Sequence, residues 1–302
     1  MSFTSSLHGR HSSTSSSPPA VHQNNTEDME LDVLTPATSI SDSLPEYRST
    51  IDFPPTAFCS SSSSSSTAAG ASFCPTRTFQ IETPGIGLIR LPVPPRADPI
   101  YVYSLTPGSD ALEPVYVSLR DARCSGNSIL ARADDAECAP LCTTTYRFGP
   151  NRPPQIRLYA SATVGDEEFA VLSRGISTRA QIMRTPLGTF TWRFASRHER
   201  REEAAHSLLI MERITTVALE GGKKREIPRR VAHLIRNDEV RAVGSSKSSA
   251  GNGGRLVMDL REWADTKGEA EQMEVLVVAS CLVMLKKEID RRRMLQAMVI
   301  AS

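Results

Sequence analysis

The stretch GGKKREIPRR, residues 221–230, places several cationic side chains directly after two glycines. A Gly-Gly pair between two apolar runs is typical of a hairpin turn, so these charges are expected near the tip of a β-hairpin. There they could attract anionic lipid headgroups, including phosphoinositides, because basic residues bind negatively charged membrane surfaces. The alternative is a hairpin tip that only keeps its charges in water. The cations concerned are Lys223, Lys224, Arg225, Arg229 and Arg230.

A second short motif lies in SLPEYRST, residues 43–50. Leu44, Pro45 and Tyr47 form an L-P-x-Y tetrapeptide, which resembles the ligands of WW domains. Pro45 favours an extended polyproline II segment that docks in an aromatic groove, and Tyr47 would fill a second pocket. The motif therefore predicts a WW-domain partner, and the alternative is a tail that binds nothing.

A peptide covering residues 44–51 is expected to bind an isolated WW domain. Tyr47→Ala should abolish this binding because the ring that fills the second pocket is lost. Fluorescence anisotropy of the labelled peptide measures both results. Failure of the unmodified peptide to bind at high-micromolar WW domain would remove the hypothesis.

Residues that could bind a metal or act in catalysis do not form a complete set. In HERREEAAH, residues 198–206, a zinc-protease helix would need histidine where Glu202 stands, and one Glu203-x-x-His206 is half of a di-iron set. Cys138 and Cys142 lack the second ligand pair of a zinc site. The sequence also contains no P-loop and no G-x-S-x-G. We therefore expect no metal, no cofactor and no enzymatic activity, but an interaction or adaptor protein.

Composition divides the chain into a tail, residues 1–72, and a domain, residues 73–302. The tail is Ser-rich and has 2 cations against 7 acids, a net charge of 2 − 7 = −5. Such a segment buries too little apolar surface to offset the entropy of ordering and is expected to be disordered. The domain carries 33 − 27 = +6, which is too little to predict nucleic-acid binding.

The N-terminal residues contain no apolar stretch of the kind that forms a secretory signal. The 6 cysteines are then expected to be reduced. These features predict a cytoplasmic protein, with a nuclear or peripheral-membrane location left open.

Short alternating or apolar runs separated by Gly and Pro follow residue 73. In GTFTWRF, Phe190, Trp192 and Phe194 are expected on one face and Thr191 and Arg193 on the other, as in a half-buried strand. EVRAV, residues 239–243, is a further strand candidate. About eleven to twelve such strands predict a mainly β fold, an antiparallel barrel or sandwich.

One strong helix is predicted at about residues 269–297, and its first half is apolar all round. A helix of that kind must be surrounded. The apolar run, residues 275–285, is about 16 Å long, whereas a bilayer core is about 30 Å thick. Extending it would bury charges at roughly 2.5–3.5 kcal/mol each. We therefore predict no transmembrane segment, but a helix threaded through a closed barrel of about 17–20 Å in height.

This arrangement resembles the tubby C-terminal-like superfamily, which includes LURP-one-related proteins and phospholipid scramblases. The likeness is carried by the strand-rich body, by GTFTWRF followed by SLLIMERI, and by the terminal VLVVASCLVMLKKEIDRRR. It implies a closed antiparallel barrel around a hydrophobic C-terminal helix. It also implies, as a second functional hypothesis, a peripheral module that binds phosphoinositides or anionic membranes.

Overall fold

The computed structural model describes residues 72–87, 96–105, 113–122, 125–147, 152–159, 166–175, 178–219, 222–266 and 268–301. In these residues one antiparallel sheet contains thirteen strands, in the order β7-β6-β5-β4-β3-β2-β1-β13-β12-β11-β10-β9-β8. The predicted disordered tail lies outside the described residues, except for Ser72. The strands are β1 Arg77–Glu82, β2 Ile100–Ser104, β3 Glu113–Leu119, β4 Ser128–Arg132, β5 Pro140–Thr145, β6 Gln155–Leu158, β7 Glu167–Ala170, β8 Leu172–Ser173, β9 Gln181–Thr185, β10 Gly188–Phe194, β11 Ser207–Ala218, β12 Lys224–Arg236 and β13 Arg255–Met258.

The sheet curves into a nearly closed barrel whose two edge strands follow each other in the sequence. β7 pairs with β6 and β8 pairs with β9, and Val171 alone separates β7 from β8. The amide of Val171 donates to the carbonyl of Pro154 at 2.8 Å, and the amide of Arg174 donates to the carbonyl of Ala180 at 3.0 Å. The segment 167–173 therefore joins both edges, and little open sheet edge is left to pair with another chain.

A long helix, α2 (Glu269–Ala301), fills the barrel. Its apolar run from Val275 to Leu285 is buried in one cluster with residues of the surrounding strands. The predicted threaded helix is therefore confirmed, although α2 continues past the predicted end at residue 297. No helix in the described part of the chain is long and apolar enough to cross a bilayer.

The polar residue in the middle of the apolar run, Ser280, is satisfied inside the barrel. Trp192 on β10 donates its indole N–H to Ser280 Oγ at 2.9 Å, and the Ser280 hydroxyl donates to the carbonyl of Val277 at 3.3 Å. Both side chains are completely buried. The pair fixes the register of α2 against β10, because an unpaired polar group in this core would cost about 1–3 kcal/mol.

The glycine-rich segment at residues 251–254 lets the backbone pass between β1, β12 and α2. A Cβ atom on Gly253 would lie 1.9 Å from the carbonyl oxygen of Ile81, and one on Gly254 would lie 2.4 Å from that of Ile235. Gly251 has φ +68°, and its Cβ would lie 2.6 Å from the carbonyl oxygen of Leu285 on α2. The sequence predicts a turn here, and the structure adds a close approach that admits no side chain.

One connection contains a helix, and another differs from the sequence prediction. HERREEAAH is a charged, exposed connection between β10 and β11, and it begins with a short helix, α1 (Arg197–Glu202), which a capping box of Ser196 and Glu199 starts. EVRAV, expected as a strand, lies in an irregular loop between β12 and β13. Asn237 causes this, since its side-chain oxygen accepts the amides of Glu239 and Val240, both at 3.0 Å, and this turn ends the strand.

Candidate functional site

The predicted hairpin forms an arm that projects from the sheet. β10 pairs with β11 as far as Arg213, and β13 pairs with β12 only from Ala232 onward. Residues 214–218 and 224–228 therefore pair only with each other. Together with their connection they are called the β11–β12 arm. Five residues per strand correspond to about 17 Å of length.

One face of the β11–β12 arm combines apolar and cationic side chains. Opposite residues of a strand pair lie on the same face, and the register places Val217 opposite Arg225. Val217 is 38 %, Leu219 46 % and Ile227 46 % exposed, which is high for large apolar side chains. Lys223 shares this face because its carbonyl accepts the amide of Leu219 at 2.7 Å. The face is suited to a surface that is both negatively charged and apolar.

The predicted cation cluster divides into two groups. Lys223, Lys224 and Arg225 are exposed, and no acidic group of the described residues lies within 4.0 Å of them. Arg229 and Arg230, at the base of the arm, are only half-exposed and form ion pairs. Their partners are Glu262 at 3.0 Å and Glu203 at 2.9 Å, respectively.

Those two ion pairs leave three of the five predicted cations without an acid partner among the described residues. The acids stand 33 and 27 residues away from the arginines in the sequence, so sequence spacing alone does not reveal them. The other predicted site, Leu44, Pro45 and Tyr47, lies outside the described residues.

A cleft of about 770 Å³ lies beside the C-terminal part of α2, between this helix and the rim of the barrel. The sequence does not predict it. Its walls come from the segment before β9, the end of β12, the loop that follows β12, and α2 from Met284 to Met298. Ligand pockets commonly measure about 300–1,000 Å³, so a small molecule can enter. We call this the C-terminal cleft.

A buried ion pair forms the floor of the C-terminal cleft. Arg236, at the end of β12, donates to both carboxylate oxygens of Glu288 on α2, each at 2.7 Å. It also donates to Ser207 at 2.8 Å and to Asn252 at 3.2 Å. Burial alone would lower the pKa of Arg236, but the Glu288 carboxylate outweighs it and the pKa lies above its usual value. The pair ties α2 to the barrel wall.

Further cations surround this floor. Lys287, Arg291 and Arg292 come from α2, and Arg179 comes from the segment before β9, where its guanidinium lies 5.4 Å from the ring centre of Phe194. Arg292 donates to a backbone carbonyl. No acid in the described ranges lies within 4.0 Å of any of these four cations. Lys287 is half-buried, and this burial lowers the pKa of its ammonium group.

Two more cations of the cleft are neutralised by one carboxylate. Asp238 pairs with Arg241 at 2.6 Å, with Lys247 at 3.0 Å and with His206 at 2.9 Å. Hydrogen bonds from His206 and then Lys247 lower the pKa of Asp238 to about 2. These residues shape one rim of the cleft, whereas the unpaired cations set its positive charge.

Groups suited to covalent or metal chemistry are not assembled in the described part of the chain. No three His, Cys, Asp or Glu residues there could hold a metal ion together. The described cysteines are free thiols, and burial raises the pKa of Cys142 and Cys281 to about 12. A thiol with so high a pKa is a poor nucleophile.

In comparisons with protein-family models, curated proteins and solved structures, none matched this chain. The barrel with its threaded helix is established by the structure itself. The resemblance to the tubby C-terminal-like superfamily stays a prediction.

Proposed function

We propose that this protein is a non-enzymatic binding protein that docks on anionic membranes through the β11–β12 arm. The observation that carries the proposal is the composition of one face of the arm, where exposed Val217, Leu219 and Ile227 stand beside Lys223 and Arg225. An interfacial segment needs both components, since cations attract the headgroups and apolar side chains enter the acyl boundary.

The geometry of the arm supports this role. Its two strands extend past the pairing of their neighbours, so no other described strand covers the edges of the arm. Each basic residue near an anionic membrane contributes about 1 kcal/mol, or about a fivefold gain in affinity. The three unpaired cations of the arm together then favour binding by about 3 kcal/mol. Arg229 and Arg230 contribute less because acids already neutralise them.

The full chain is expected to float with vesicles that contain phosphatidylserine or a phosphoinositide, and not with phosphatidylcholine vesicles. Arg225→Glu should weaken the binding by about tenfold or more, because it replaces attraction with repulsion. Leu219→Asp should have a similar effect, because it removes an inserted apolar group. Flotation at low salt measures both effects, and parallel phosphatidylserine and phosphoinositide vesicles show which headgroup is preferred.

Arg255→Glu is the matched control, since Arg255 is exposed on β13 in the barrel wall, away from the arm. It makes the same change of charge and should leave flotation nearly unchanged. The proposal is wrong if the wild-type chain stays in the soluble fraction at low salt. It is equally wrong if Arg255→Glu and Arg225→Glu weaken flotation to the same extent.

The adaptor hypothesis with a WW-domain partner stays a separate prediction. Its residues, Leu44, Pro45 and Tyr47, lie outside the described part of the chain, and the peptide experiment tests it directly.

A further inference from the structure

The last turns of α2 leave the barrel with an uncovered apolar side. Inside the barrel the apolar run of the helix is buried up to Leu285, and Ile289 is buried one turn further on. Past it, Met294 is 60 %, Leu295 53 % and Met298 59 % exposed, and all three line the C-terminal cleft. Residues one helical turn apart share a face, so these side chains form a continuous apolar wall. Methionine-rich walls adapt to ligands of varied shape.

Cationic side chains line the rest of the cleft. Lys287 and Arg291 on α2 and Arg179 on the barrel rim all line it, and none has an acid within 4.0 Å among the described residues. Among the described residues two acids line the cleft, and both have partners, since Glu288 binds Arg236 and Asp290 binds Lys286. The cleft therefore has positive charge available for an anionic group.

We propose that the C-terminal cleft binds one amphiphilic anion, a molecule with a carboxylate or phosphate head and a single apolar chain. The head lies among Arg179, Lys287 and Arg291, where the charge is complementary, and the chain lies against Met294, Leu295 and Met298. A volume of about 770 Å³ suits a ligand of this size.

A helical protein partner fits this cleft less well. The apolar wall runs from residue 294 to residue 298, which is about 6 Å along the helix axis. A helix that binds in a groove places anchors at i, i+3 or i+4, and i+7, and so needs a longer apolar strip. The barrel rim also faces the wall from the other side. These features favour a single chain over a second helix.

This site is separate from the membrane-docking arm and goes beyond the proposed function. The arm extends from β11 and β12 where they pass their neighbouring strands, whereas the cleft adjoins Arg236, at the other end of β12. Each site can therefore be changed while the other stays intact.

Isothermal titration calorimetry of the full chain with dodecyl phosphate, kept below its critical micelle concentration, tests the inference. One binding site per chain is expected. Inorganic phosphate, which has the head alone, and dodecyl maltoside, which has the same chain on an uncharged head, should each bind at least about tenfold more weakly. If inorganic phosphate binds as tightly as dodecyl phosphate, the apolar wall plays no part and the proposal is wrong.

Two substitutions locate the ligand. Met298→Asp places a charge in the apolar wall, and Arg291→Glu reverses a cation, so each should weaken dodecyl phosphate binding by about tenfold or more. Val299→Asp is the matched control for the wall, because Val299 follows Met298 on α2, is 76 % exposed and does not line the cleft. Arg225→Glu, in the arm, is the matched control for the charge.

Both control variants should bind dodecyl phosphate like the wild type, and unchanged circular dichroism shows that every variant is folded. The inference fails if dodecyl phosphate does not bind, or if Met298→Asp and Arg291→Glu bind it as well as their controls do. Arg225→Glu also separates the two proposals, because it should weaken vesicle flotation and leave this binding intact.

Discussion

Val278→Asp is expected to unfold the barrel. Val278 lies in the middle of α2, is completely buried and belongs to the cluster that the strands form around the helix. A carboxylate there finds neither water nor a partner, and a buried unpaired charge of this kind costs more than about 4 kcal/mol. Whole domains are stable by only about 5–15 kcal/mol. Thermal melts followed by circular dichroism should show a much lower melting temperature or no cooperative transition.

Val299→Asp makes the same change on the same helix, outside the barrel. Its side chain is exposed, so the free energy of unfolding should change by no more than about 0.5 kcal/mol. A Val278→Asp protein that melts like the wild type would contradict the threaded helix. A protein that stays folded and only loses membrane association would show instead that the apolar run is a membrane anchor.

Glu288→Gln is expected to destabilise the protein by about 3 kcal/mol or more. The substitution keeps the shape of the side chain but removes its charge, which leaves Arg236 buried without a counter-ion. Breaking a buried ion pair by removing one partner costs about 3–5 kcal/mol. The Glu288 carboxylate also accepts a hydrogen bond from the amide of Gly251 at 3.0 Å. The contact between the glycine-rich segment and α2 should therefore weaken too. Urea unfolding at neutral pH measures the change in free energy.

A double-mutant cycle separates the pair from the packing around it. Arg236→Met combined with Glu288→Leu removes both charges, so the double variant should be more stable than either single variant. Glu271→Gln is the matched control, because Glu271 is also on α2 and forms an exposed ion pair with Arg132 of β4. This variant should lose less than about 1 kcal/mol of unfolding free energy. Equal losses from Glu271→Gln and Glu288→Gln would contradict the structural role of the buried pair.

The architecture was largely predictable because two of its signals are local. A helical segment that is apolar on all sides and too short for a bilayer must be enclosed by protein. Residues 275–285 of α2 are enclosed in that way. Alternation in GTFTWRF likewise places Phe190 and Trp192 inside the barrel. Closure of the barrel by segment 167–173 was not predictable, because it depends on which distant strands become neighbours.

The candidate sites show the same limit. A Gly-Gly turn and a run of cations are local, so the hairpin and its three exposed charges at residues 223–225 were visible in the sequence. The ion pairs of Arg229 and Arg230 were not visible, since they depend on tertiary contacts. EVRAV has strand-like alternation, yet the Asn237 side chain caps its first amides and holds it in a turn. The C-terminal cleft was missed because its walls come from segments far apart in the sequence.

The position of α2 in the chain affects how the protein is made. All thirteen strands precede the helix that fills them, so a growing chain exposes every wall of the barrel before its core exists. From Met258, which ends the last strand, to Leu285, which ends the buried run, the ribosome adds 285 − 258 = 27 residues. At about 5–20 residues per second this takes roughly 1–5 s. During that interval the inward faces of the strands have no native partner and are open to chaperones. A message truncated there yields a chain that has all the strands but lacks the helix that fills them.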